Sequence, residues 1–205
     1  MRFAIFDEES TKLKSDQGFL LCGGFKDLAT GEKTILKLSD YLIGTDRLDI
    51  DHHLVVAIRD ELEKYDGVIT WNGLMFDLPL LDDRLMLCNE KPRRPLFARG
   101  LDMMWHARMG KSVLASSRLD WVAKALGCPF VKTPLNMNTW TLAEAEAIAC
   151  LEPKFQLGSF KFGRASWPLG RSNFDEIMVH NDHDLDVTAW VYDRMKDRVQ
   201  SISKR

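Results

Sequence analysis

The stretch VITWNGLMFDLPLL, residues 68–81, passes from an apolar run through a polar turn into a second apolar run. Val68 to Trp71 is short and contains β-branched residues, which predicts a buried strand. The Asn72-Gly73 dipeptide is a turn signal, and the sequence from Asp77 to about Leu87 predicts a helix. A strand that leads directly into a helix is half of a strand-helix-strand unit, so the segments around it decide the fold class.

The segments on either side extend this pattern to an α/β fold. Before it, three strands are predicted at Arg2 to Phe6, Phe19 to Phe25 and Lys33 to Leu38, and a helix over Asp51 to Tyr65. After it, the patterns predict a strand at Phe97 to Leu101, a helix that begins after Asp102, and helices at Ser117 to Leu126, Thr141 to Cys150 and Asn173 to about Val199, with Asn173 as the N-cap of the last. This order indicates a mixed sheet, with an antiparallel start of three strands and a parallel remainder, flanked by helices.

The overall composition favours one cytoplasmic domain over residues 1–205. The length suits a single well-cored unit, 45% of the residues are apolar, and the segment at about 129–173 is the least regular part. The apolar start of the chain is too short for a signal peptide, and no run is long enough to span a membrane. The four cysteines are spread singly, which gives little support to a disulfide framework or a zinc site. A net charge of -2 argues against a general nucleic-acid coating protein, but it allows an enzyme that places basic residues around an acidic site.

The first acidic cluster follows the first predicted strand. Asp7 and Glu9 are two residues apart, so they project to the same face of an extended chain and both can meet one metal ion. The alternative is that Asp7, Glu8 and Glu9 form a solvated strand end. Taken alone, the acidic pair favours that alternative.

A second acidic cluster lies on the last predicted helix. His180 and Asp184 are four residues apart and therefore share one helical face, beside apolar neighbours. Asp182, His183 and Asp186 belong mainly to other faces and are expected to form a hydrated surface. Burying several like charges is costly unless cations neutralise them, so inward-facing carboxylates here predict bound divalent metal ions.

The turn in the opening stretch contributes a fourth candidate carboxylate, Asp77. One interpretation is that Asp77 only caps the helix, with Pro79 in its first turn. Capping does not explain why the same turn also carries Trp71, Asn72 and Phe76, side chains that can stack on or hydrogen-bond to a nucleotide. These three are therefore predicted substrate-binding residues.

With these clusters in hand, the chain resembles the DEDD superfamily of 3′-to-5′ exonucleases, in particular the proofreading-type domain related to family B DNA polymerases, without a polymerase attached. The sequence DEE at 7–9 corresponds to the Asp-x-Glu motif of that superfamily, and WNGLMFDLP at 71–79 is close to its second motif. The third motif corresponds to His180 through Thr188, with His180 where tyrosine is common. The resemblance covers nearly the whole chain. It implies an RNase H-like fold and the hydrolysis of single-stranded nucleic acid, DNA rather than RNA, to nucleoside 5′-monophosphates.

The resemblance also implies a role for each acidic residue. Asp7, Glu9 and Asp184 would hold one Mg²⁺ or Mn²⁺ ion, and Asp7 with Asp77, partly through water, would hold a second ion roughly 4 Å away. His180 would orient or deprotonate the attacking water. Whether His180 or His183 serves as the base stays open, as does the choice between Mg²⁺ and Mn²⁺.

The stretch from Pro153 to Arg171 is a candidate guide for the substrate strand. It interleaves aromatic residues with basic ones, including Lys161 and Arg164, and contains no acid. Such a sequence suits phosphate contact and base stacking, although a loop whose aromatic residues pack into the core is an equal alternative. Two other functions stay open: an RNA exonuclease or structure-specific endonuclease on the same fold, and a non-catalytic module that binds nucleic acid or a protein.

Overall fold

The computed structural model describes residues 1–42, 49–109, 115–130, 135–149 and 172–203. Five strands form one sheet in the order β3-β2-β1-β4-β5. Neighbours β1 and β2, and β2 and β3, are antiparallel, whereas β1 and β4, and β4 and β5, are parallel. The predicted mixed sheet is thereby confirmed. The strands are β1 (Phe3–Ser10), β2 (Leu20–Asp27), β3 (Lys33–Lys37), β4 (Gly67–Thr70) and β5 (Gly100–Asp102).

Two strands differ from the sequence prediction. β1 continues to Ser10 because its acidic residues pair with β2, with Asp7 opposite Gly24. The acidic cluster therefore lies inside a strand instead of following one. β5 begins only at Gly100, because Phe97–Arg99 forms one turn of 3₁₀ helix where a strand was predicted.

Helices cover both faces of the sheet. One hydrophobic cluster joins Phe6 and Phe25 of the sheet to α1, α2 and α5, and a second joins Ile5 and Ile69 to α3, α4 and most of α6. Alternate residues of β1 thus face opposite clusters, as strand geometry requires. The helices are α1 (His52–Leu62), α2 (Asp77–Leu87), α3 (Met103–Met109), α4 (Leu119–Ala125), α5 (Met137–Ala149) and α6 (Asn173–Ser203). Across these helices, none combines the length and the apolar character that crossing a membrane requires.

The start of α6 corrects one predicted cap. Ser172, not Asn173, precedes the helix, and its hydroxyl accepts a hydrogen bond from the backbone N–H of Asp175 at 3.0 Å. The Asp175 carboxylate accepts in return from the backbone N–H of Ser172 at 3.2 Å, which completes a reciprocal capping box. Asn173 instead donates its side-chain amide to Glu146 of α5 at 2.7 Å. This contact ties the beginning of α6 to α5.

Candidate active site

Asp7 on β1 is held by the long helix α6. Asn181 donates a hydrogen bond from Nδ2 to Oδ2 of Asp7 at 2.8 Å and another to the backbone carbonyl of Asp7 at 3.2 Å. Asp7 is half-buried. Because the amide engages one carboxylate oxygen, it fixes the direction in which the group points.

Glu9 and Asp184 meet at one histidine. His180 Nε2 lies 3.8 Å from Oε1 of Glu9 and 3.8 Å from Oδ2 of Asp184. The side chains of Glu9, His180 and Asp184 are only 13%, 9% and 9% exposed. The structure therefore brings together residues from the first and second acidic clusters, with the four-residue spacing on α6 placing His180 and Asp184 on one face.

Asp77 approaches the same strand from α2. Phe76 precedes this helix and makes no side-chain capping bond, whereas Oδ1 of Asp77 accepts the backbone N–H of Glu8 at 3.1 Å. Burial, together with the negative charges of Asp102 and Asp184, raises the pKa of Asp77 to about 7 against the hydrogen bonds it accepts. The sequence allowed Asp77 to be only a helix cap. Its hydrogen bond to Glu8 of β1 shows that it also connects α2 to the first strand.

Glu8 is the unexpected member of the acidic sequence on β1. Its side chain is 4% exposed and faces away from Asp7 and Glu9. Among the described residues, neither of its carboxylate oxygens has a hydrogen-bond partner. Burial raises the pKa of Glu8 well above its ordinary value, and the charges of Asp77 and Asp7 raise it further. A solvated strand end is therefore not what this stretch forms.

The turn after β4 is built around Asp102. Asn72 has a left-handed backbone, with φ 71°, and its N–H donates to Oδ1 of Asp102 at 3.0 Å. The same carboxylate also accepts the N–H groups of Leu74, Met104 and Trp105 at 3.4, 2.9 and 3.3 Å. Asp102 thus shapes the turn and the start of α3.

An open cavity of about 360 Å³ lies where these elements meet, at the carboxyl ends of the parallel strands. Two of the predicted substrate-binding residues, Trp71 and Asn72, line it, but the third, Phe76, packs against the first hydrophobic cluster. Asp7 and Asp184 are also part of the wall. The remaining lining residues are Met104, Arg108, Ser117, Arg118, Leu119 and Asp120.

Sequence reasoning did not single out the two arginines in this wall. Arg108 at the end of α3 donates from Nε to the Ser117 hydroxyl at 3.0 Å, and Arg118 pairs with Asp120 at 3.2 Å. They place positive charge beside the acidic residues. The sequence predicted only that basic residues would surround the acidic site. It could not identify which ones, because a single arginine in or beside a short helix forms no recognisable pattern.

Asp182 and Asp186 also differ from the sequence expectation of a hydrated surface. Lys33 contacts carboxylate oxygens of Asp182 at 2.9 Å and Asp186 at 2.8 Å, and Lys26 contacts Asp186 at 2.8 Å. These ion pairs attach α6 to β2 and β3. They hold Asp182 and Asp186 against the sheet, whereas Asp184 faces His180 and the cavity.

Trp140 is a further residue that the sequence did not identify. It lies on α5, and its indole Nε1 donates to Oε2 of Glu9 at 3.1 Å. Its ring is perpendicular to that of His180, with the ring centroids 5.9 Å apart. Lys161 and Arg164, predicted to contact the substrate, lie outside the described residues, as does the stretch from Pro153 to Arg171.

The donor chemistry of the site fits divalent metal ions. Within the described parts of the chain, no three His, Cys, Asp or Glu side chains stand close enough to form a ready-made metal site. The carboxylates near the cavity nevertheless offer only oxygen, which Mg²⁺ and Mn²⁺ prefer. The pKa of Asp77 is raised mainly by burial and further by the charges of Asp102 and Asp184, and a bound cation would favour the ionised carboxylate.

Comparison with known proteins agrees with this architecture. A family model described as the RNase H superfamily matches residues 4–136, and the chain belongs to that superfamily. No curated protein matches the chain. The family B DNA polymerase from the hyperthermophilic archaeon Pyrobaculum calidifontis is similar in structure, with a TM-score of 0.61 and 14% sequence identity over 95% of this chain and 24% of the polymerase.

A looser structural likeness connects the chain to E. coli ExoI. The zinc-bound complex of ExoI with single-stranded DNA gives a TM-score of 0.46 and 14% identity, over 90% of this chain and 44% of ExoI. The chain thus spans less than half the length of either solved structure. The similarity to the polymerase establishes a shared RNase H-like fold, and membership of the superfamily supports a nuclease-type function.

Proposed function

We propose that this chain is a metal-dependent 3′-to-5′ exonuclease that hydrolyses single-stranded nucleic acid, DNA in preference to RNA, to nucleoside 5′-monophosphates. The observation that carries the proposal is the meeting of Glu9 and Asp184 at His180, beside a cavity that Asp7 and Asp184 line. Carboxylates from two distant parts of the chain, next to a histidine and an open cavity, suit metal-assisted hydrolysis of a phosphodiester.

The carboxylates are the groups that would bind the metal ions. Asp7, Glu9 and Asp184 would hold one ion, and Asp7 with Asp77 the other. When bound, the ions supply positive charge that activates a water and stabilises the leaving 3′ oxygen. Asn181 and Trp140 each engage one oxygen of a carboxylate, so Asp7 and Glu9 are held in fixed orientations.

His180 is placed to handle the proton of the attacking water. Its Nε2 lies 3.8 Å from an oxygen of Glu9 and 3.8 Å from an oxygen of Asp184, two carboxylates that would hold a metal ion, so a water bound to that ion would be close to the ring. The ring is 9% exposed, so its surroundings limit both its rotation and competing bulk water. His180 therefore takes the role of general base in this proposal.

The cavity wall would receive the end of a nucleic-acid strand. Trp71 offers an apolar surface for a base, Asn72 offers a polar side chain, and Arg108 offers a cation for a phosphate. A volume of about 360 Å³ falls in the range of small-ligand pockets and suits one or two nucleotides better than a duplex. These features favour entry of a frayed or single-stranded end.

The need for a free 3′ end can be tested directly. Linear single-stranded DNA with a 3′ hydroxyl is compared with the same strand carrying a bulky 3′ block and with a single-stranded circle, all in Mg²⁺. We expect rapid release of mononucleotides from the free end, and little or none from the blocked strand and the circle. Cleavage of the circle would instead establish an endonuclease, and binding of all three without cleavage would establish a non-catalytic module.

A further inference from the structure

Trp140 contacts two groups of the proposed active site at once. Its indole Nε1 donates to Oε2 of Glu9 at 3.1 Å, while Oε1 of the same carboxylate lies 3.8 Å from His180 Nε2. The rings of Trp140 and His180 are perpendicular, at 89°, with centroids 5.9 Å apart. Perpendicular packing is a favoured arrangement of aromatic rings. One side chain thus touches both Glu9 and His180.

The two oxygens of Glu9 are distinguished by these contacts. The indole N–H holds Oε2, which leaves Oε1 on the side of His180 and Asp184. Hydrogen bonds from a neutral donor to a carboxylate are directional, so this bond selects one rotation of the carboxylate.

The helix that carries Trp140 is anchored on both sides. Glu144, one turn further along α5, forms an ion pair with Lys12 in the connection between β1 and β2 at 2.7 Å. Glu146 accepts hydrogen bonds from the first residues of α6, including the side chain of Asn173. Ala143, directly before Glu144, is fully buried in the first hydrophobic cluster. These contacts keep the indole at a fixed distance from β1 and α6.

We propose that Trp140 is a positioning residue that orients the Glu9 carboxylate and the His180 ring for hydrolysis, an inference that rests on the proposed function of the same site. Its indole N–H selects which oxygen of Glu9 faces His180, and its ring limits the rotation of the imidazole. Trp140 is not among the residues that line the cavity, so we expect its effect to fall on turnover and metal affinity and not on strand binding.

The kinetic test replaces Trp140 by phenylalanine, which keeps an aromatic ring and removes the N–H. The matched control is Trp190→Phe. Trp190 is a half-buried tryptophan on α6, ten residues after His180, and its ring lies under Arg194. We expect Trp140→Phe to lower kcat by about tenfold and to raise the Mg²⁺ concentration needed for half-maximal activity, the effect usual for a group that orients a ligand. KM for the strand should stay within twofold of wild type. Trp190→Phe should match wild type in kcat, in KM and in the Mg²⁺ concentration needed for half-maximal activity.

A second measurement needs neither activity nor a substitution at Trp140. The indole N–H resonance of Trp140 is assigned in a ¹H–¹⁵N spectrum by its Overhauser contacts to the His180 ring, and is followed in Glu9→Ala and during a Mg²⁺ titration. We expect both changes to move the Trp140 resonance and to leave that of Trp190 in place. Detecting the hydrogen bond through the spectrum keeps the test valid even if Trp140→Phe folds poorly.

The two measurements separate this inference from the proposed function. A wild-type chain that cleaves no nucleic acid refutes the exonuclease, and the indole resonance then still decides whether Trp140 orients Glu9. An unmoved Trp140 resonance in Glu9→Ala, or equal kcat for Trp140→Phe and Trp190→Phe in an active enzyme, would overturn the positioning role.

Discussion

Asn181 on α6 and Asp7 on β1 are joined by two hydrogen bonds, one to the carboxylate at 2.8 Å and one to the backbone carbonyl at 3.2 Å. The neighbouring strand makes room for this contact at Gly24, where a Cβ atom would lie only 2.0 Å from Oδ1 of Asn181. The last helix is therefore fixed to the first strand at a residue of the proposed metal site.

Replacing Asn181 by alanine should weaken the site without removing a metal ligand. Loss of the amide removes a hydrogen bond that orients the Asp7 carboxylate, and outer contacts of this kind are worth about 10- to 100-fold in metal affinity or activity. We expect a fall of that size in cleavage rate at limiting Mg²⁺, measured with labelled single-stranded DNA. Asp182→Ala, which removes an ion pair with Lys33 on another face of α6, should leave the rate unchanged. Equal rates for Asn181→Ala and wild type would contradict the role of the amide.

Gly24→Ala should disturb the same contact from the opposite side. The added Cβ would overlap Asn181 Oδ1 and lie 2.9 Å from a methyl of Leu185, so α6 must shift. Overpacking of this kind costs about 1–3 kcal/mol in the free energy of unfolding, which urea denaturation measures, and here it should also lower activity.

The matched control for Gly24→Ala is Gly23→Ala. A Cβ at Gly23 would lie 2.6 Å from Ile58 in the other hydrophobic cluster, away from Asn181. We expect Gly23→Ala to lose about as much stability as Gly24→Ala. Its activity per folded molecule should equal that of wild type. If both substitutions reduced activity equally, the close approach of α6 at Gly24 would have no special importance for the site.

Asp77→Asn should change how stability depends on pH in EDTA. The pKa of Asp77 in the folded protein, about 7, lies above the unfolded value near 3.9 because burial opposes ionisation. Between these pH values the folded protein binds a proton that the unfolded chain has released, so the stability of the wild type falls as pH rises from about 4 to 7 and levels off above 7. Above pH 7, the raised pKa of Asp77 should lower the free energy of unfolding by at most about 4 kcal/mol.

Asn at position 77 cannot ionise, and its carbonyl can still accept the N–H of Glu8. We therefore expect Asp77→Asn to be more stable than wild type at pH 8 in EDTA and similar to it near pH 4, with Asp82→Asn on the same helix as the control. Thermal denaturation across this range measures the difference. If the stabilities of wild type and Asp77→Asn rose equally between pH 5 and 7, the raised pKa of Asp77 would be contradicted.

Arg108→Ala tests the cavity as the path of the strand. Removing one cation that binds a phosphate should reduce the slope of log binding constant against log salt by about 0.7 for a single strand. We expect such a reduction for Arg108→Ala and none for Arg93→Ala, an exposed arginine paired with Asp60. The double substitution of Lys161 and Arg164 by alanine examines the predicted guide between Pro153 and Arg171 in the same way. An unchanged slope for Arg108→Ala would remove this arginine from the binding surface.

The sheet and its flanking helices followed from local patterns in the sequence, because strand alternation and helical spacing are properties of neighbouring residues. The apolar run before Asn72 and the helix beginning at Asp77 are where they were predicted. The strand predicted at Phe97 was wrong by about three residues, since a 3₁₀ turn intervenes before β5. Nothing local distinguishes that turn from the end of a strand.

Contacts between distant residues were the part that the sequence could not supply. The hydrogen bond from Trp140 to Glu9 joins residues far apart in the chain, and the burial of Glu8 depends on which elements cover its face of β1. The orientation of α6 about its own axis decides that Asp184 faces the site and that Asp182 and Asp186 do not. Lys33 and Lys26 in the sheet hold this orientation through their ion pairs with Asp182 and Asp186. Motifs named the acidic residues, but only the packing of the elements shows which of them face one another.

Cleavage of single-stranded DNA and RNA labelled at the 5′ end, with Mg²⁺, Mn²⁺ or EDTA, decides whether the protein is an exonuclease. Wild type is compared with Asp7→Asn, which keeps the size of the side chain and an acceptor for Asn181. We predict a ladder of DNA products that shortens from the 3′ end, with slower cleavage of RNA, and no products in EDTA or with Asp7→Asn. Intact strands in the presence of wild type and either ion, or equal cleavage by Asp7→Asn, would contradict the account.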